Sequence, residues 1–187
     1  MSNPDRPNGF KLVASLSGAP ISSLIRSIGV TDGADMFKGD LISLTSNLGA
    51  VATTNDATIL GVAVGFGKVD PATGNYAGAY NPDNLTTTYY DDSASTHTDW
   101  RVFYIPVDGA ILEVQSDTDL DLAVGDACDL LKTTAGNTTT GISGQQIGAS
   151  TNADFHVVDI PAYPDNDSTL ANTRYHVTVT GAESIWV

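Results

Sequence analysis

The chain reads as all-β: a β-sandwich or barrel of short antiparallel strands with an extended N-terminal arm. Three observations predict this. Apolar residues recur with a period of two over short runs, the spacing of a strand with one buried face. Clusters of Gly, Asn, Asp, Thr and Ser separate those runs at regular intervals, as in sandwiches and barrels. Charged residues make up only 16% of the chain, against roughly 25% in an ordinary globular protein. Its surface therefore works by packing and hydrogen bonding more than by ion pairs.

Residues 1–20 form the arm. Pro4, Pro7 and Pro20, with Gly9 and Gly18, exclude a helix there. Such an arm is ordered only when tied down, either on a partner or on its own domain. Residues 21–187 make a single all-β domain, with a weaker case for two small β lobes. Ile21, Leu24, Ile25 and Ile28 fit a helical template, whereas Leu24, Arg26, Ile28 and Val30 alternate as in a strand.

From Phe37 the pattern is β. Phe37–Asp40 turns into a strand over Leu41–Leu44, and a turn at Asn47–Gly49 leads to a second strand through Val51. In Ile59–Phe66, Leu60, Val62, Val64 and Phe66 form a large face, and Ile59, Gly61, Ala63 and Gly65 a small one. That pairing predicts a core on one side and close backbone approach on the other. Residues of about 67–100 are polar and rich in Gly, Asn, Asp, Thr and Tyr. A structureless loop of that length is unusual in a compact domain, so it reads as a protruding insertion used for contact.

Val102–Val107 is apolar on both faces, as in a central strand, and Asp108-Gly109 predicts a two-residue hairpin into Ala110–Gln115. Later strands fall at 127–132, 155–160 and 174–180. The last carries Tyr175, Val177 and Val179 on one face and His176, Thr178 and Thr180 on the other. The runs Ala135–Ser150 and Pro161–Asn172 read as connections. Gly39-Asp40 and Gly125-Asp126 each open a strand, an echo that suggests duplicated hairpins.

Charge and composition exclude several functions. With 22 acidic residues, 8 basic and a net charge of −14, the chain cannot build the cationic stripe that nucleic acids require, and anionic membranes repel it. If viral, it belongs outside the shell, away from packaged DNA. Cys128 stands alone, so no intrachain disulfide forms, and the polar, Pro-broken start predicts no signal peptide and synthesis in a cytoplasm.

No catalytic, cofactor or metal constellation emerges, and the chain reads as a non-enzyme. Gly65-Phe66-Gly67 has no third glycine at dinucleotide-site spacing, and Ser143 lies in Gly141–Gly144 without the spacing of a nucleophile elbow. His97, His156 and His176 are scattered. Asp117, Asp119 and Asp121 alternate like a calcium loop, but Leu122 stands where an EF-hand needs glycine.

The block Phe37–Phe66, in the form Phe-x-Gly-Asp-Leu-Ile … Ile-Leu-Gly-Val-Ala-Val-Gly-Phe, resembles a group of tailed-bacteriophage head proteins described as decoration or cement proteins. The likeness continues at Gly9-Phe10, Leu16–Pro20, Ala110–Asp117 and Gly136–Gly144, in order over about residues 9–148, and lapses in the 67–100 loop and the last 40 residues. It implies an extended strand at Leu24–Val30. It further implies a structural virion protein on the outer capsid surface, a homotrimer made in the bacterial host cytoplasm and bound to the major capsid protein. There it would cement neighbouring capsomers against internal DNA pressure, with no cofactor. Phe10, Tyr76, Tyr80, Tyr89, Tyr90 and Trp100 are the expected contact residues, since Tyr and Trp dominate interface hot spots; alternatively, these rings cap the domain's own core. A host-glycan-binding surface module, or a tail or neck component, fits the same composition.

Overall fold

A computed structural model of the chain describes residues 2–16, 18, 20, 24–54, 58–68, 87–93, 96–131 and 135–180. Among these, the alternating runs become thirteen strands. They are β1 (Lys11–Ser15), β2 (Arg26–Gly29), β3 (Met36–Phe37), β4 (Leu41–Thr45), β5 (Leu48–Val51), β6 (Ile59–Lys68), β7 (Tyr89–Tyr90), β8 (Trp100–Pro106), β9 (Ala110–Gln115), β10 (Ala127–Leu131), β11 (Gln146–Ala149), β12 (Phe155–Asp159) and β13 (Arg174–Val179). One 3-10 turn, His97–Asp99, precedes β8.

Two sheets result, ordered β2-β8-β6-β4-β5 and β1-β9-β13-β12-β10-β11, with β3 and β7 as a separate ribbon. Each large sheet curls until its ends meet. Val30, just after β2, bridges Gly49 of β5 in parallel, and Ser116, just after β9, bridges Ile147 of β11. Backbone bonds from Thr31 N to Gly49 O (2.9 Å) and from Asp117 N to Ile147 O (3.1 Å) complete the closures. Closure removes much of the exposed edge that an open sheet would present.

The two halves share one plan. Setting β1 aside, the order β2-β8-β6-β4-β5 reappears strand for strand as β9-β13-β12-β10-β11. Register repeats as well: Ile28↔Val102 corresponds to Val114↔Tyr175, Ile42↔Val51 to Cys128↔Ala149, and Ala63↔Tyr104 to Val157↔Val177. A bulge follows Ala63 in one half and Val157 in the other. The Gly-Asp echo lies at the centre of this repeat. Gly39 and Gly125 have φ of 91° and 97°, a region open to glycine at little cost. Asp40 accepts the Phe37 amide at 2.7 Å, and Asp126 accepts the Ala123 amide at 2.9 Å. The glycine amides then donate to Ala63 O and Val157 O, each at 2.8 Å, and those residues' amides return bonds to Asp40 O and Asp126 O. The first half therefore holds β2 to β8, and the second β9 to β13.

Packing joins the halves. Ile42, Val51, Leu60, Val102 and Tyr104 fill the first barrel, with Met36 and Tyr90 from the ribbon. Leu112, Val114, Leu130, Ile147, Phe155, Val157, Tyr175 and Val177 fill the second. Leu41, Ala52, Ile59 and Val62 of the first barrel pack into the second core. Each fully buried side chain of this kind contributes about 1.5–3 kcal/mol, so the second lobe does not keep its full core without the first.

The arm is extended and, of the two alternatives, its described residues pack on its own domain, while several other expectations need correction. β1 adds to β9, Phe10 enters the second core, and Asn3 donates to the carbonyls of Asp167 (2.8 Å) and Ala171 (3.1 Å). Where it crosses the first Gly-Asp turn, Phe10 N donates to Gly39 O at 2.8 Å, and a Cβ on Gly9 would collide with that carbonyl. Asp108-Gly109 is not a hairpin loop, because β8 and β9 lie in different sheets. A type I′ loop needs positive φ at both central residues, and only Gly109 has it. The turn, closed by Ala110 N to Val107 O at 3.0 Å, instead hands the chain from one barrel to the other.

The tight turn expected at Asn47–Gly49 falls at Ser46-Asn47, both with positive φ, because Thr45 pairs with Leu48. The two faces read in β6 are broken by bulges at Leu60 and Val64, so Leu60 and Ala63 face one core and Ile59 and Val62 the other. Close approach does occur at Gly61, where a Cβ would lie 2.5 Å from Ile105 O. The connection at 135–150 contains β11.

The two Gly-Asp turns should differ in worth, because Asp40 is buried and Asp126 is exposed. Asp40→Ala should cost about 3 kcal/mol by orphaning buried donors, and Asp126→Ala under about 1 kcal/mol. Urea unfolding of both variants checks this, and equal losses would refute it.

Candidate contact surface

Of the six expected contact residues, Tyr76 and Tyr80 lie outside the described residues. The structure brings Tyr89, Tyr90 and Trp100 together at the β3–β7 ribbon. Tyr89 stacks on Phe37 with ring centroids 5.0 Å apart and planes within 9°, and Tyr90 meets Trp100 edge-on at 5.8 Å. Tyr89 donates to Asp91 at 3.3 Å and Tyr90 to Asp92 at 3.0 Å. Burial first, then the neighbouring carboxylates, push both phenols above their ordinary range, so each stays a neutral donor. Asp92 also accepts the Gly33 amide at 3.0 Å, and its own amide donates to Asp35 at 3.0 Å, which pins the ribbon to the 32–35 turn.

Two of the six are not surface residues. Phe10 is 1% exposed and stacks on Phe155 at 5.2 Å, and Tyr90 is 0% exposed. Their rings serve the domain's own cores. Tyr89 and Trp100 are half-buried.

Among the described residues, exposed apolar side chains include Leu44, Val124, Ile142 and Tyr163, and two more fall together at the edge strand β1. On and just past β1, Val13 is 45% exposed and Leu16 72%. β1 is the outermost strand of its sheet, and a bulge at Val13 breaks its register with β9. Beside it opens a groove of about 380 Å³ lined by Phe10, Leu12, Val62, Val64, Ile105 and Ile142, among others. The sequence carried a signal for this in Leu12-Val13 and Leu16, apolar residues on successive positions where alternation should have hidden one set.

The residues with chemical potential hold structure. Ser143 is buried and donates to Asp40 at 2.5 Å, while its Oγ accepts the Gln145 amide at 3.0 Å. Gln145 in turn accepts the Leu41 amide at 2.7 Å and donates to Ala52 O at 3.0 Å. This chain of bonds ties the 135–145 segment to the first barrel. On the outer face of the second barrel, His176 lies 3.2 Å from Asp159 and 3.7 Å from Glu113, and Glu113 accepts the Tyr163 hydroxyl at 3.1 Å. Arg174 covers the Tyr163 ring at 4.5 Å. Asp117, Asp119 and Asp121 do not converge, and no group of three potential metal ligands occurs among the described residues.

Asp129 is a buried carboxylate surrounded by donors. It accepts the amides of Thr151, Asn152 (2.9 Å) and Ala153 (2.7 Å), and the hydroxyls of Thr151 (2.8 Å) and Ser150 (3.2 Å). Burial opposes its ionisation, but the Thr151, Asn152 and Asp154 amides and the Thr151 hydroxyl together outweigh burial and hold the carboxyl below its usual range.

No family model matches the chain, and comparison with curated proteins and with solved structures finds no match.

Because Asp129 is held low in the folded chain, the unfolded chain binds its proton first as pH falls. The stability it supplies is full above the ordinary carboxylate range and drains away as pH drops through it. Asp129→Asn should lose about 3 kcal/mol near neutrality, since an amide turns a donor toward a ring of donors. It should also flatten the acid limb of a plot of unfolding midpoint against pH, and parallel acid limbs would refute the assignment.

Proposed function

We propose that this protein is a non-enzymatic structural protein that attaches to the outer surface of a tailed-bacteriophage capsid, as a homotrimer, and cements neighbouring capsomers. The carrying observation is the β1 edge. It presents Val13 and Leu16 to solvent on an outermost strand, a place where proteins that avoid association put charge. The resemblance of Phe37–Phe66 to phage head proteins supports the same reading. So does the net charge of −14, which suits a surface turned away from packaged DNA.

In this reading stabilisation is mass action: a ligand that binds only the assembled lattice raises its stability with concentration over Kd. A durable contact buries on the order of 1,600 Å². The β1 edge, with Tyr89 and Trp100, supplies part of it.

Deleting the arm is a poor test, because Phe10 and β1 complete the domain's own core and sheet. Val13→Asp with Leu16→Asp changes only exposed positions. The wild-type protein should co-sediment saturably with expanded capsids at a fixed ratio to the major capsid protein and raise their melting temperature. The double variant, folded by circular dichroism, should bind at least about tenfold more weakly. Full retention of the variant would remove the β1 edge from the contact. Absence of wild-type binding would overturn the capsid reading.

A further inference from the structure

We infer that the groove beside β1 takes an extended segment of a partner protein that alternates apolar and acidic side chains, laid along β1 as an added strand. The inference rests on the contact reading only in making β1 the contact edge. β9 already occupies one side of β1, and no β9 residue lines the groove. The groove therefore runs along the edge of β1 that β9 does not cover, the edge on which a further strand adds. Its opposite wall comes from β6 and β8 through Val62, Ala63, Val64 and Ile105, together with Ile142. The bulge at Val64 takes that side chain out of strict alternation and leaves it half-buried against the groove, a common use of a bulge.

Charge selects the occupant. Lys11 and Lys38 line this apolar groove, and among the described residues neither makes an ion pair. That is unusual economy in a chain with 22 acidic and 8 basic residues. An adjoining cleft on the β9 side of β1 shares Asn8 and Lys11 with the groove, but its Arg6 and Arg174 lie beside Glu113, and Arg174 is paired with Asp165. The groove itself therefore offers two basic residues, Lys11 and Lys38. They are too few, in too acidic a protein, for a nucleic-acid or membrane surface. They match a peptide whose apolar side chains enter the groove while its carboxylates meet the lysines, a geometry that fixes register and favours encounter.

The test uses the full-length, isotope-labelled protein and a short acetylated peptide alternating valine and glutamate, with a valine–lysine peptide as control. Amide shifts should move saturably at residues 11–16, and raising salt should weaken the affinity. Lys11→Glu with Lys38→Glu should weaken it about tenfold or more, as should Ile142→Asp on the far side of the groove. Equal binding of the lysine peptide, unchanged affinity in the double lysine variant, or shifts confined to other surfaces would overturn the inference. So would shifts at residues 11–16 that follow protein concentration without peptide, which would put a second copy in the groove. Peptide binding with failed capsid co-sedimentation would leave the groove standing and remove the capsid reading. The reverse result would do the opposite.

Discussion

A carboxylate that accepts an amide of its own turn sets the geometry of both barrels. At Asp40 and again at Asp126, the side chain closes the turn that begins a strand, while the adjoining backbone groups exchange bonds with the strand beside it. The turn thus sets direction, register and partner for β4 and for β10 through exchanged backbone bonds, with the carboxylate bracing it. The preceding glycine supplies a conformation that other residues adopt at a cost. With these two strands placed, the bulged strands β6 and β12 fall into register, and each sheet curls toward its closing bridge.

The halves then diverge in what they attach to this shared frame. The first carries a long connection between β6 and β8 and the second a long one between β10 and β11. The latter returns to the first barrel, where Ser143 bonds Asp40 and Gln145 bridges Leu41 and Ala52. The arm does the reverse, crossing the first Gly-Asp turn at Gly9 before pairing with the second barrel. Each half is thereby held by an element that departs from the repeat, and buried Asp40, Ser143 and Gln145 serve the first of those crossings.

The fold class was legible because alternation survives wherever a strand has one buried face, as in Tyr175, Val177 and Val179. The repeat was nearly illegible, because any apolar side chain of suitable size fills a core position. Only the Gly-Asp pair, where backbone conformation and hydrogen bonding dictate side-chain identity, kept a visible trace. Bulges hid the faces of β6, since one extra residue reverses every position after it. The Asp-Gly signal misled because a local turn preference does not say which sheet receives the next strand. Of the expected contact aromatics, Tyr89, Tyr90 and Trp100 do converge, but aromatic residues suit cores as well as interfaces, and Phe10 and Tyr90 went inward. The exposed edge at Val13 and Leu16 is a tertiary fact, set by which strand ends up outermost.

The repeat also separates what the barrel requires from what it tolerates. Between β4 and β5 the chain turns in two residues, Ser46 and Asn47, while the corresponding connection between β10 and β11 spans residues 132–145. The same barrel closes around either. Ser46-Asn47 is exposed, so it is a natural insertion point for a foreign loop, a display position for epitopes or affinity tags that leaves strand pairing on both sides intact.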